Sequence, residues 1–170
     1  MDGLARTVVV GVGNEFRRDD GVGWEVVARL AERAGRADAP AGVAFAVSDG
    51  DPGRLIGVWR GAGLCVVVDA GHAHPACPGR VHRIEVADGE LRTTESTSSH
   101  GMGLGEAVEL SRVLGALPER LVVFAVEGLD ASVGPGLSEP VRAAVAPLVA
   151  RVEAEIARHR EAVTARAADG

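Results

Sequence analysis

Runs of apolar residues with the length of a β-strand constrain the fold of this chain most strongly. In several of these runs, such as TVVVGV and LCVVVD, consecutive residues are apolar, which indicates that both faces of the strand are buried. Segments with the apolar spacing of helices separate the runs, and this alternation is typical of a parallel α/β sheet. The predicted strands are TVVVGV (7–12), VAFAV (43–47), LCVVVD (64–69), VHRIEV (81–86) and LVVFAV (121–126).

The predicted fold class is α/β. We expect a single-domain, three-layer sandwich, with an open, mainly parallel, twisted sheet of about five strands flanked by helices. VHRIEV alternates apolar and polar residues, which favours an edge strand that could run antiparallel. The predicted helices cover 24–35, 52–63, 103–117 and a segment that begins at Leu137.

The chain length fits one domain that spans 1–170. In the last predicted helix, Pro147 should kink or divide the helix, because proline removes a backbone hydrogen bond. From about Arg158 the sequence is polar and rich in alanine. We therefore expect a core at 7–157 and a frayed tail at 158–170.

Composition and charge exclude several classes of protein. A formal net charge of −6, with aromatic residues at 3%, argues against a nucleic-acid surface. No apolar stretch approaches the roughly 18 to 20 residues of a membrane span, and no signal peptide is recognisable, so we expect a cytoplasmic protein without membrane contact. A monomer is expected, because no long apolar stripe is left unassigned.

A glycine-rich loop, GVGNEFRRDDGVGW (11–24), follows the first predicted strand. A dinucleotide-binding fingerprint would need a third glycine at the position of Phe16, and no GK[ST] sequence marks a phosphate loop. We therefore predict that this loop holds no nucleotide and no other organic cofactor. The adjacent Asp19 and Asp20 either cap the following helix or contact a ligand.

Three residues that could bind a metal lie where ligands bind in open α/β sheets, beyond the carboxyl ends of the strands. Asp20 follows the first strand, Asp69 ends the third, and His100 lies at the start of a helix, whose dipole favours the neutral imidazole. Two carboxylates and an imidazole suit a borderline divalent ion with open positions. His72 and His74 follow Asp69 in a loop and are expected to be solvated, although a role in metal binding stays open.

A serine nucleophile is the competing interpretation of the segment before the third helix. Ser98 or Ser99 would have to act with His100 and an aspartate. Adjacent residues rarely point at each other as a nucleophile and its base must, and the sequence has no GxSxG elbow. We therefore do not expect a serine hydrolase.

The motifs together resemble those of the hydrogenase maturation proteases, and they follow the family order over roughly residues 7 to 157. The glycine-rich loop is similar to the family's GxGNxxxxDDGxG signature. The sequence departs from the family pattern at Gly128, which follows Glu127 where relatives commonly have proline. The segments that carry the resemblance are GVGNEFRRDDGVGWEVV (11–27), SDGDPGRLIG (48–57), VVVDAG (66–71), SSHGMGL (98–104) and LVVFAVEGLDASVGPGLSEPVRAAV (121–145).

The resemblance implies an aspartic-type endopeptidase that removes the C-terminal extension of the large-subunit precursor of a nickel–iron hydrogenase. It places the metal-binding and catalytic residues at Asp20, Asp69 and His100, with the metal being nickel presented by the precursor. Asp19 is either a second catalytic carboxylate or a helix cap. Two other functions stay open: a non-catalytic, metal-dependent binding or chaperone module for a nickel protein, and a nucleotide-binding α/β protein.

Overall fold

A computed structural model describes residues 6–36, 42–87, 90–93 and 102–170, and in these ranges strands and helices alternate as predicted. None of the described helices is both long and apolar enough to cross a membrane. In chain order the elements are β1 (Thr7–Val12), α1 (Val22–Ala34), β2 (Val43–Ser48), α2 (Pro52–Trp59), β3 (Leu64–Gly71), β4 (Val81–Ala87), β5 (Glu90–Thr93), α3 (Met102–Leu114), β6 (Arg120–Glu127) and α4 (Glu139–Ala168).

The described strands form one sheet with the order β2-β1-β3-β6-β4-β5. β1, β2, β3 and β6 are parallel, whereas β4 runs antiparallel to both of its neighbours. After β1 the chain forms β2 on one side of it and then β3 on the other. The crevice between the carboxyl ends of β1 and β3 is thus the switch point at which open α/β sheets bind ligands.

Two layers of helices cover the sheet, which confirms the predicted three-layer sandwich. α1 and α4 pack on one face around Val66 and Phe124, and α2 and α3 pack on the other around Trp59. The indole Nε1 of Trp59 donates a buried hydrogen bond of 2.9 Å to Ser111 Oγ, which joins α2 to α3. Consecutive apolar residues in β1, β3 and β6 are buried because both faces of these strands are covered.

The sheet contains one more strand than the sequence predicts. β5 pairs with β4 on the side away from β6, so β5 occupies the edge that was predicted for β4. The antiparallel direction of β4 is found, but its edge position is wrong. A short, polar strand such as ELRT has no apolar run by which to recognise it.

The last helix is longer and less interrupted than predicted. α4 continues through Pro147 to Ala168, so no division at Pro147 is found, and the predicted tail at 158–170 is helical as far as Ala168. Val145, Leu148 and Val149 are buried on both sides of the proline, and this packing offsets the cost of a proline inside a helix, about 3 kcal/mol. Further along α4, His159 is also buried.

One helical face is less buried than its apolar spacing indicates. Leu114, which continues the helical spacing of Leu104, Ala107 and Val108 in α3, is 54% exposed. The exposed side of α3 also carries Leu110 and Val113. The helical spacing of apolar residues therefore does not identify the buried face of α3 completely.

Close contacts between backbones explain two glycines of the first loop. A Cβ added to Gly11 would lie 2.3 Å from the carbonyl oxygen of Gly23, and one added to Gly23 would lie 2.3 Å from that of Val68. The start of α1 therefore lies directly against β1 and β3. Only glycine allows so close an approach.

The variant Gly23→Ala is expected to destabilise the protein by about 3 kcal/mol, because the added methyl group would meet backbone atoms that cannot yield easily. Gly57→Ala is the matched control. Gly57 lies in α2, where an added Cβ would point into open space, and the same change there should stabilise the helix by about 0.5–1 kcal/mol. Urea denaturation of both variants measures the two effects, and equal stabilities would contradict the packing explanation.

Candidate active site

The turn after β1 brings Asp20 to the switch point. Gly13 has a φ of +131°, and a Cβ there would lie 2.0 Å from the carbonyl oxygen of Asp20. The same oxygen accepts a 3.2 Å hydrogen bond from the Asn14 amide, and the Asp20 amide donates to Arg17 O at 3.0 Å. These backbone amides hold the turn itself together, and the carboxylate of Asp20 is left half-buried at the end of β1.

Asp69 lies within β3, opposite Ala125 of β6, and only 6% of it is exposed. Burial raises the pKa of Asp69, and the negative charge of Asp20 raises it further, to about 7, although a backbone hydrogen bond from Ala70 opposes both effects. The two carboxylates therefore lie close enough to repel each other. A divalent cation between them would relieve this repulsion, so the pair fits a metal.

A cavity of about 40 Å³ lies beside Asp20, with room for at least one water molecule. Asp20 and Ala70 form part of its wall, together with Gly128 and Leu129 from the loop after β6. His72 also lines the cavity, although its side chain is exposed, and His74 is exposed in the same loop. The structure therefore brings His72, but not His74, to the predicted site.

His100 lies outside the described residues, so its predicted place at the site remains a prediction. α3 begins two residues later at the carboxyl edge of the sheet, since a Cβ on Gly103 would lie 2.2 Å from the carbonyl oxygen of Gly50, just after β2. Within the part of the chain that the structure describes, no group of three or more His, Cys, Asp or Glu residues could hold a metal ion.

Asp19 is buried beside Asp20, and only 1% of it is exposed. Its Oδ2 accepts hydrogen bonds from the amides of Leu129 (2.8 Å) and Asp130 (2.9 Å) and from Ser138 Oγ (2.8 Å), while Oδ1 accepts from the Ser138 amide at 2.7 Å. Burial raises the pKa of the Asp19 carboxyl, but these hydrogen bonds outweigh burial and hold the pKa below its usual value. This geometry favours a structural role for Asp19. Its carboxylate binds the start of α4, and not the start of α1, the helix that follows it in the sequence.

Glu127, at the end of β6, is a buried carboxylate that the sequence analysis did not identify. It accepts a 3.1 Å hydrogen bond from the Cys77 amide, and its Oε2 lies 3.0 Å from His82 Nε2 and 3.7 Å from Arg80 Nε. Burial raises the pKa of Glu127, but these contacts outweigh burial and lower it. Glu127 fixes the loop that follows His72. Glu127 follows an apolar run, as Asp69 does, and this position could have identified it from the sequence.

Exposed apolar side chains border the site. Phe16 in the turn after β1 and Leu129 and Val133 in the loop after β6 are each more than 60% exposed. The two segments are hydrogen-bonded to each other, with the Gly134 amide donating to Phe16 O at 2.8 Å. Exposed apolar groups of this kind often mark a surface that binds another chain.

Comparison with known proteins places this arrangement in a family. The family model HycI, described as hydrogenase maturation protease, matches residues 26–155. No curated protein sequence matches at a significant level.

Solved structures share the fold at low sequence identity. The hydrogenase maturating endopeptidase HybD from E. coli is 23% identical, with a TM-score of 0.74 over 90% of this chain and 93% of that one. The [NiFe] hydrogenase maturation protease HybD from Thermococcus kodakarensis is also 23% identical, with a TM-score of 0.64 over 87% of this chain and 97% of its own. Because the family model matches most of this chain, the chain belongs to the hydrogenase maturation protease family and is a maturation endopeptidase.

Proposed function

We propose that this protein removes the C-terminal extension from the large-subunit precursor of a nickel–iron hydrogenase once that precursor contains nickel. The observation that carries the proposal is the pair Asp20 and Asp69, two mutually repelling carboxylates at the switch point of the sheet. A site of this kind attracts a cation. In a maturation protease, the available cation is the nickel bound to the substrate.

Asp20 and Asp69 would contact the nickel of the precursor, and His100 would supply the nitrogen ligand. The nickel would supply Lewis-acid chemistry there, toward the scissile carbonyl or a bound water molecule. Alternatively, it would only position the substrate while a carboxylate serves as general base, and Asp69, with a pKa raised to about 7, meets that condition near neutral pH. The exposed apolar residues Phe16, Leu129 and Val133 would contact the peptide of the precursor beside the carboxylates.

The test is an incubation of the protein with a nickel–iron hydrogenase large-subunit precursor from the same genome, in nickel-loaded and nickel-free forms. Mass spectrometry should show the loss of a short C-terminal peptide from the nickel-loaded precursor only. Cleavage of both forms would show that nickel is not the feature recognised. Tight binding of the nickel-loaded form without cleavage would instead support the binding or chaperone module.

We further propose that the protein acts as a monomer in the cytoplasm, without nucleic acid, membrane or nucleotide. Size-exclusion chromatography with light scattering measures the oligomeric state directly. A stable dimer would point to the exposed face of α3, with Leu110, Val113 and Leu114, as the contact surface.

A further inference from the structure

The buried carboxylate of Asp19 joins two segments that are far apart in the sequence. Within the described ranges, its carboxylate accepts four hydrogen bonds, which come from Leu129, Asp130 and Ser138, 110 to 119 residues away. These three residues lie in the connection between β6 and α4. Ser138 is the N-cap residue of α4, and its hydroxyl donates to Asp19 instead of capping its own helix.

Other contacts between the same two segments surround Asp19. The Asp19 amide donates to Asp130 O at 2.9 Å, and the Arg18 amide donates to Gly134 O at 2.9 Å. The side chain of Arg18 also donates to Ser132 Oγ at 3.1 Å, but this contact is solvent-exposed. Hydrogen bonds to a buried charged group are stronger than exposed ones. The carboxylate of Asp19 should therefore contribute most to holding the turn after β1 and the loop after β6 together.

The contacts between the turn after β1 and the loop after β6 set the shape of the site. Gly128, Leu129 and Asp130 form one wall of the cavity, and Asp20 forms another. Gly128 packs against Asp19 so closely that a Cβ there would lie 3.3 Å from the Asp19 Cβ. Any movement of the loop relative to the turn would therefore move this wall away from Asp20.

We propose that Asp19 is a positioning residue, which holds Asp20 and the loop after β6 in one fixed arrangement. The effect of this fixed arrangement on precursor cleavage rests on the proposed function. Asp19 is not the second catalytic carboxylate in this assignment, because both of its oxygens are engaged by loop donors and only 1% of the residue is exposed.

The test uses a graded series of variants, in which Ser138→Ala removes one hydrogen bond, Asp19→Asn removes the charge but keeps one acceptor, and Asp19→Ala removes all four bonds. Hydrogen exchange at the amides of Asp20, Leu129 and Asp130 should become faster in that order, by about tenfold or more for Asp19→Asn. Asp51→Asn is the matched control. Asp51 accepts a 2.8 Å hydrogen bond from the Arg54 amide at the start of α2, and its loss should leave the three amides unchanged.

Kinetics on the nickel-loaded precursor supply the second readout. The value of kcat should fall in the same graded order, by about 10²-fold for Asp19→Asn, while KM changes much less, because a misplaced catalytic group slows the reacting step. If Asp19 were a general base, Asp19→Asn and Asp19→Ala would lower kcat equally and Ser138→Ala would leave it unchanged. That pattern would overturn the proposal.

Hydrogen exchange separates this proposal from the proposed function. Unchanged exchange at Asp20 and Leu129 in Asp19→Asn would refute the positioning role even if the parent protein cleaves its precursor. Faster exchange at Asp20 in a protein that cleaves no precursor would support the positioning role, although the proposed function would then be wrong. If Asp19→Ala does not fold, Ser138→Ala and Asp19→Asn still give the order of effects.

Discussion

Replacement of Asp20 or Asp69 by Asn is expected to lower the rate of precursor processing by about 10³-fold or more, because each change removes a charge that would contact the nickel of the precursor. His100→Ala should have an effect of similar size if His100 supplies the nitrogen ligand. All three proteins should stay folded, and in the two Asn variants the removal of one charge relieves the repulsion between Asp20 and Asp69. Mass spectrometry of the precursor over time measures the rates, and circular dichroism checks the fold.

Glu153→Gln is the matched control for these variants. Glu153 is a partly exposed carboxylate of α4 that lies 2.7 Å from Arg33 Nε, at the end of α1. Loss of this charge should leave the processing rate within about twofold, because surface ion pairs contribute little even to stability. Full activity in both Asp20→Asn and Asp69→Asn would show that the chemistry takes place elsewhere.

Asp69→Asn is also expected to stabilise the metal-free protein at pH 8.5 and to have almost no effect at pH 4. The pKa of Asp69 is raised to about 7 by burial and by the charge of Asp20, so the folded state binds a proton more tightly than the unfolded state does. The parent protein therefore loses stability as the pH rises from about 4 to about 7, and the loss is complete above 7. The difference between variant and parent should reach the order of 4 kcal/mol above that pH.

Urea denaturation at several pH values measures this difference. Asp19→Asn is an informative comparison, because the pKa of Asp19 is lowered. The effect of this variant on stability should therefore have the opposite sign to that of Asp69→Asn. The carboxylate of Asp19 stabilises the fold above its usual pKa, so Asp19→Asn should destabilise the protein at pH 7 and lose this effect as the pH falls. Parallel pH profiles for Asp69→Asn and the parent protein would contradict the assigned pKa.

The sequence was sufficient for five of the six described strands and for the location of Asp20 and Asp69 in the fold. Apolar side chains on consecutive positions in β1, β3 and β6 require cover on both faces, and the parallel strands then place Asp20 and Asp69 at one edge. β5 was missed because it is short and polar. The Asp88-Gly89 pair before it is typical of a hairpin turn and could have indicated it.

The roles of Asp19 and Glu127 could not be predicted in the same way. Asp19 is bound by groups more than 100 residues away, and such partners depend on how the loops pack, which local patterns do not encode. The same holds for Glu127 and the Cys77 amide. His100 remains a prediction, supported by the family resemblance and by the start of α3 at the same edge.

The length of α4 has a practical consequence for experiments on this protein. Its N-cap, Ser138, is bound to Asp19 beside the site, and its 30 residues extend about 45 Å to Ala168. A fluorophore or a surface linkage placed near Ala168 would therefore lie far from Asp20 and Asp69. A protein immobilised in this way would present the carboxyl edge of its sheet, unobstructed, to a precursor in solution.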